Sequence, residues 1–157
     1  MIINNVTRLL DQKKIRYERL QLPGNKISAV DVAEFAGVEP GLIYKSIVLT
    51  QKDKGKPILA VVPGNTKVDL KKVAAVLGIK KIQTTTHDEA ERFTGLQTGG
   101  ISPLALFNKG FVILVDESIN TKPAIFVSGG QRDLNIKLTP DDLLNLLNAR
   151  VCDICKA

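Results

Sequence analysis

The sequence predicts an α/β fold: one domain, residues 1–157, in which helices surround a mixed or mostly antiparallel, barrel-like sheet of six to seven strands. Three observations carry that expectation. Apolar residues recur at helical spacing in some segments and as short β-rich runs in others, these segments alternate, and glycine or proline marks most junctions. A chain of 157 residues, 44% of them apolar, buries a core of ordinary size and suits a single unit. No repeat, low-complexity tract or linker divides it.

The first helix falls within 3–13, where Val6, Leu9 and Leu10 share a face and Lys13-Lys14 close it, cations being favoured at a helix C-terminus. Arg16 to Leu22 reads as a short strand ended by Pro23-Gly24-Asn25. Ser28-Ala29-Val30-Asp31 has the form of a capping box ahead of Val32, Ala33 and Phe35, with Gly37 just past the helix end. Glu39-Pro40 opens a further turn through Leu42, Ile43, Tyr44 and Lys45, because proline suits the first helical position. Ser46 to Gln51 and Lys56 to Pro63 are β-rich runs joined by a hairpin signal, Lys52-Asp53-Lys54-Gly55. Lys45 therefore stands where a helical turn meets a strand.

Asp69 to Leu77 is a helix stopped by Gly78, Lys80 to Thr84 a strand, and a capped helix starting near Thr86 is stopped by Gly95. After the loop Thr98 to Pro103, strands fall at Phe111 to Val115, Ala124 to Ser128 and Asp133 to Leu138, with Gly129-Gly130 turning between the last two. Thr139-Pro140-Asp141-Asp142 caps a final helix through Leu147. The strands so placed allow a closed or nearly closed barrel.

Charge and motifs narrow the function. Lys and Arg total 22 against 16 Asp and Glu, a net charge of +6 that favours a phosphate-bearing partner. With no Trp, 2 Tyr and 5 Phe, there is little material for a base-stacking platform, and any RNA contact is expected to be phosphate-led. No apolar run approaches the roughly 20 residues of a membrane span, and the polar first residues do not read as a signal peptide. A cytoplasmic address without membrane contact is expected. The zincin, nucleophile-elbow, Walker and Rossmann motifs are absent. Cys152 and Cys155 form a C-x-x-C that reads as the end of the last helix, with only His87 as a further candidate ligand, too few for a tetrahedral metal site. His87 itself reads as an exposed residue at the polar start of a helix.

Four features remain as site candidates. Gly99-Gly100 permits close backbone approach to a ligand, followed by the rigid Pro103. Lys45 is a lysine at a helix–strand junction. Asp133 to Leu138 alternates, placing Leu134, Ile136 and Leu138 on one face and Asp133, Asn135 and Lys137 on the other, which either lines a cleft or meets water. Lys67, Lys71, Lys72, Lys80 and Lys81 form a basic cluster that attracts phosphates or is merely solvated.

In order along the chain stand Tyr44-Lys45-Ser46, Leu59-Ala60-Val61-Val62-Pro63-Gly64, Val68-Asp69-Leu70-Lys71-Lys72, Gly99-Gly100-Ile101-Ser102-Pro103, Val112 to Ser118, Ile125 to Gly130, and Leu138-Thr139-Pro140-Asp141-Asp142-Leu143. This order resembles the YbaK/EbsC and prolyl-tRNA-synthetase-associated editing domain family from about Val6 to Leu147. The resemblance implies a mixed β-barrel-like sheet wrapped by helices and a freestanding deacylase, with neither metal nor cofactor, that clears Cys-tRNA(Pro) or Ala-tRNA(Pro). It implies the acceptor end of tRNA, and prolyl-tRNA synthetase, as partners. It places the family's lysine on Lys45 as the catalytic residue and its G-x-x-x-P loop on Gly99, Gly100, Ile101, Ser102 and Pro103 as the substrate holder. Two positions depart from the family: Asn135 stands where an aspartate is usual, and Leu20 where an aromatic is. Either Asn135 orients substrate by hydrogen bonds, or Asp133, on the same strand face, supplies the charge. A non-catalytic tRNA- or synthetase-binding module of the same fold, and a thiol-redox protein using Cys152 and Cys155, are the other readings.

Overall fold

The computed structural model describes residues 1–26, 28–51 and 55–157, so most of the hairpin signal at 52–55 lies outside the described residues. The helices start where side chains can cap them. In α1 (Asn5–Gln12) Asn4 accepts the Thr7 N–H at 3.0 Å and Thr7 Oγ1 accepts the Asn4 N–H at 2.9 Å. Ser28 caps α2 (Ala29–Ala36), which ends at Gly37 in the left-handed region (φ 70°). Asp69 caps α3 (Leu70–Leu77), Thr86 caps α4 (His87–Thr94) and Thr139 caps α6 (Pro140–Leu147). A short helix, α5 (Pro103–Leu106), lies where sequence reading leaves a loop, capped by Ser102 with Pro103 at its first position.

The strands are β1 (Glu18–Gln21), β2 (Tyr44–Thr50), β3 (Ile58–Pro63), β4 (Lys67–Val68), β5 (Gln83–Thr84), β6 (Val112–Asp116), β7 (Ile125–Gln131), β8 (Leu134–Leu138), β9 (Arg150–Cys152) and β10 (Cys155–Lys156). The sheet is mixed, as expected. One ladder runs β5-β2-β3-β6-β9, with β2 antiparallel to β5 and β3, and β3, β6 and β9 mutually parallel. A second, antiparallel, runs β1-β8-β7, and β4 pairs with β10. A parallel bridge from Ile43 to Phe126 ties the start of β2 to β7. Apart from that bridge, the ladders formed by the described residues do not join, and they do not close into a barrel.

The strand β3 explains the core. It lies between β2 and β6 and all of its residues are buried, so it carries no polar side chain. Leu59 and Val61 face one cluster, with Leu104, Val127 and Ile136, while Ile58, Ala60 and Val62 face the other, with Val73 and Ile154.

Two expectations are corrected. Gly129-Gly130 is not a turn but part of β7, which shifts register between Ser128 and Gln131, with Gly130 at φ 92°. Cys152 and Cys155 do not end a helix but lie in strands. Past Asn148, at φ 51°, the chain re-enters the sheet as β9, and Asp116 Oδ1 accepts the Ile154 N–H at 3.1 Å, holding the segment down. Both cysteines are free.

Candidate functional site

Lys45 is the second residue of β2, opposite Val62 of β3. Its side chain is half-buried, and Nζ donates to the Gly64 carbonyl at a long 3.3 Å. Burial first, and then the Lys67 charge nearby, hold its ammonium below the ordinary lysine value. Lys45 opens into a cavity of about 330 Å³. Ala29 and Val32 from α2, Ile43 and Val48 around β2, Ala90 from α4 and Ile101 supply apolar lining. Ser46, Thr85, Thr86, His87, Thr98, Ser128 and Asn135 add polar groups. Among the described residues lining it, Lys45 is the only Lys, Arg, Asp or Glu.

The Thr98 to Pro103 loop forms one edge, and it is tied down at several points. Glu91 Oε2 accepts both the Thr98 N–H at 2.8 Å and its Oγ1–H at 2.9 Å, and these bonds hold the Glu91 carboxyl below the ordinary value. Arg132 Nε donates to the Thr98 carbonyl at 2.9 Å, Ser128 Oγ to the Gly99 carbonyl at 3.2 Å, and the Gly100 N–H to Gln97 O at 2.8 Å. Gly99 has φ 90°, a conformation that a side chain would strain. A Cβ on Gly100 would lie 2.9 Å from Gln131 Cα, so this glycine lets the loop lie against β7.

The expected site residues therefore divide. Lys45, Gly99, Ile101 and Asn135 line one cavity. Gly100, Ser102, Pro103 and Asp133 do not: Ser102 is fully buried with Oγ accepting the Leu104 N–H at 3.1 Å, and Asp133 accepts from Gln131 Nε2 at 2.7 Å. Asn135 is only 5% exposed, between Leu20 of β1 and Ser128 of β7, and its Oδ1 is buried without a hydrogen-bond partner. The solvent reading of that strand face fails here and holds at Lys137, whose Nζ meets Glu18 Oε2 at 3.3 Å near the surface.

Sequence reasoning missed the polar run Thr84-Thr85-Thr86-His87, although the cap at Thr86 marks the helix start that brings it to the cavity. His87 is exposed, as expected, yet stands on the cavity lining. Tyr44 was also missed. It is 2% exposed, its hydroxyl lies 2.8 Å from Ser118 Oγ, and burial pushes its pKa up to about 12, so it stays a neutral phenol. No group of three or more His, Cys, Asp or Glu among the described residues is placed to hold a metal ion. Among the described residues no helix is long and apolar enough to cross a membrane.

The profile of the family described as the aminoacyl-tRNA editing domain matches residues 24–146. The chain is 36% identical over 152 residues to EbsC of Enterococcus faecalis, a candidate Cys-tRNA(Pro)/Cys-tRNA(Cys) deacylase, covering 96% of this chain and 92% of that protein. It is 29% identical over 92 residues to the proline–tRNA ligase of Limosilactobacillus fermentum, covering 57% of this chain but 16% of the ligase. A crystal structure described as that of a candidate trans-editing enzyme for prolyl-tRNA synthetase superposes with a TM-score of 0.82 at 25% identity, over the full length of both chains.

Proposed function

The chain belongs to the aminoacyl-tRNA editing domain family, and from that premise we propose that it is an aminoacyl-tRNA deacylase acting in trans on mischarged tRNA(Pro). The observation that carries the reading is a small cavity with both apolar and polar walls in which, among the described residues, Lys45 is the only Lys, Arg, Asp or Glu. Water attacks the ester carbonyl carbon, negative charge gathers on the oxygens, and the bond to the terminal ribose breaks. The products are the free amino acid and a tRNA with its hydroxyl restored. An aminoacyl ester is reactive enough that positioning and charge stabilisation suffice.

Lys45 engages the terminal phosphate or ribose and stabilises the developing charge, as a cation half removed from water does most effectively. Gly99 and Ile101 hold the aminoacyl group, Gly100, Ser102 and Pro103 fix the loop that carries them, and the Asn135 amide hydrogen-bonds the substrate. The Asp133 carboxylate plays no direct part, because its partner is Gln131 and it lies off the cavity. Ala, Val and Ile walls suit a small side chain, cysteine or alanine, and the setting is the cytoplasm, alongside prolyl-tRNA synthetase. The test is hydrolysis of Cys-tRNA(Pro), Ala-tRNA(Pro) and Pro-tRNA(Pro) side by side. Release of one non-cognate amino acid with Pro-tRNA(Pro) spared supports the reading. Binding of all three with no release makes the chain a tRNA-binding module instead.

A further inference from the structure

The lysines of the sequence cluster do not share one surface. Lys72 is paired, its Nζ 3.0 Å from Asp153 Oδ1 and 3.0 Å from the Cys155 carbonyl. Lys80 and Lys81 line a separate depression with Thr50, Ile79 and Gln83. Lys67 and Lys71 instead line an open groove of about 660 Å³, together with Lys156 and Lys45. That groove adjoins the cavity, and Lys45, Ile47 and Thr84 line both.

Among the described residues the groove lysines Lys67, Lys71 and Lys156 form no ion pair. Lys156 lies directly opposite Lys67 in the antiparallel β4–β10 pair, an arrangement that destabilises a ladder when the charges are alike. The ion pairs found among the described residues are Arg19–Asp11, Lys72–Asp153 and Lys137–Glu18, none of which uses a groove lysine. Among the described residues lining the groove the one Asp or Glu is Asp69, whose Oδ1 accepts the N–H groups of Lys71 and Lys72 at the start of α3. Lys67 also weakens the ammonium of Lys45, as expected of two cations facing one space. A linear polyanion leading to the cavity would relieve this repulsion.

We propose that the groove of Lys67, Lys71 and Lys156 is a phosphodiester track that grips the unpaired 3′ end of the RNA substrate and feeds its last nucleotide to Lys45. The proposal rests on the deacylase reading for the choice of RNA, and names a surface that reading does not need. The contacts are to phosphate, so they supply affinity and register rather than base identity.

The experiment measures binding of uncharged tRNA(Pro) by fluorescence anisotropy over a series of salt concentrations. It compares wild type, the groove variant K67Q/K71Q/K156Q, a charge-matched control K80Q/K81Q/K109Q, and the groove triple with arginines. Thermal unfolding establishes that each is folded. The groove variant should lose about 0.7 from the slope of log K against log salt for each lysine removed, the value for a single strand. The control should stay near wild type and the arginine triple should recover. Trimming the unpaired 3′ end should abolish the difference between wild type and groove variant. Equal losses in groove and control variants, no loss in either, or a difference that survives trimming would overturn the proposal. The two readings fail separately: the groove-specific pattern without hydrolysis of any charged tRNA leaves the track and removes the deacylase, and hydrolysis with no groove-specific loss does the reverse.

Discussion

A methyl group on Gly64 has nowhere to go. A Cβ there would stand 2.5 Å from Ala29 Cβ, 3.1 Å from Pro40 O and 3.2 Å from Ile43 O, against the 3.4 Å at which ordinary contact begins. None of these neighbours is the free end of a flexible side chain. Two are carbonyls at the turn entering β2, and Ile43 O already accepts the Gly64 N–H at 2.7 Å. Gly64→Ala must therefore push α2 away from the end of β3. Overpacking of this kind costs about 1–3 kcal/mol, and at this chain length about 2 kcal/mol lowers the unfolding midpoint by roughly 4–8 °C. The same shift disturbs the site, since Gly64 O receives Lys45 Nζ and Ala29 lines the cavity. Calorimetry on wild type, Gly64→Ala, Ala29→Gly and the double variant forms a thermodynamic cycle. Removing the Ala29 methyl relieves the shortest contact, so the double variant should be more stable than the sum of the singles by about 1 kcal/mol. A Gly64→Ala protein that melts with wild type, or a cycle that is additive, refutes the packing argument.

Asn135→Leu replaces an amide whose oxygen is buried and unpaired with an apolar side chain of the same heavy-atom branching. Its melting temperature should match or exceed wild type, while kcat/KM falls about tenfold through loss of a hydrogen bond to substrate; unchanged kinetics would remove Asn135 from the site. Asp116 is 2% exposed; burial raises its pKa, but hydrogen bonds from Ser118 and from the Ile154 N–H outweigh that and leave the net value lowered. A lowered folded value means that stability is fully present above the unfolded carboxylate value of about 3.9 and is lost as pH falls through the folded one. Asp116→Asn should thus cost about 1–3 kcal/mol near neutral pH, and its deficit against wild type should shrink in acid denaturation scans; a pH-independent deficit contradicts the assignment.

How far the sequence reaches depends on the kind of signal. Helices announced themselves by capping chemistry, and Ser28 with Gly37, Asp69 with Gly78 and Thr86 with Gly95 stand where that chemistry places them. Strands β4, β9 and β10 did not, because segments of two or three residues carry no period and form only when their partners arrive. Gly129-Gly130 reads as a turn by composition, but β7 uses Gly129 to clear Leu134, where a Cβ would come within 2.6 Å. Lys45 and the glycine loop were legible as candidates, and only the fold shows them lining one cavity. Alternation put Asn135 on a polar face; it could not show that β1 and β7 flank that strand and bury the amide. The threonines before α4 were legible as a cap and illegible as a wall, because a cap is local and the cavity joins residues far apart in the chain.

The central claim is that the Lys45 ammonium stabilises charge during deacylation. Single-turnover hydrolysis of whichever mischarged tRNA(Pro) the wild type cleaves, repeated with Lys45→Ala, tests it most directly. The account predicts a folded variant, melting close to wild type, whose rate falls about 10²- to 10³-fold, as when one preorganised charge-stabilising donor is removed. A folded Lys45→Ala protein that deacylates at the wild-type rate contradicts it.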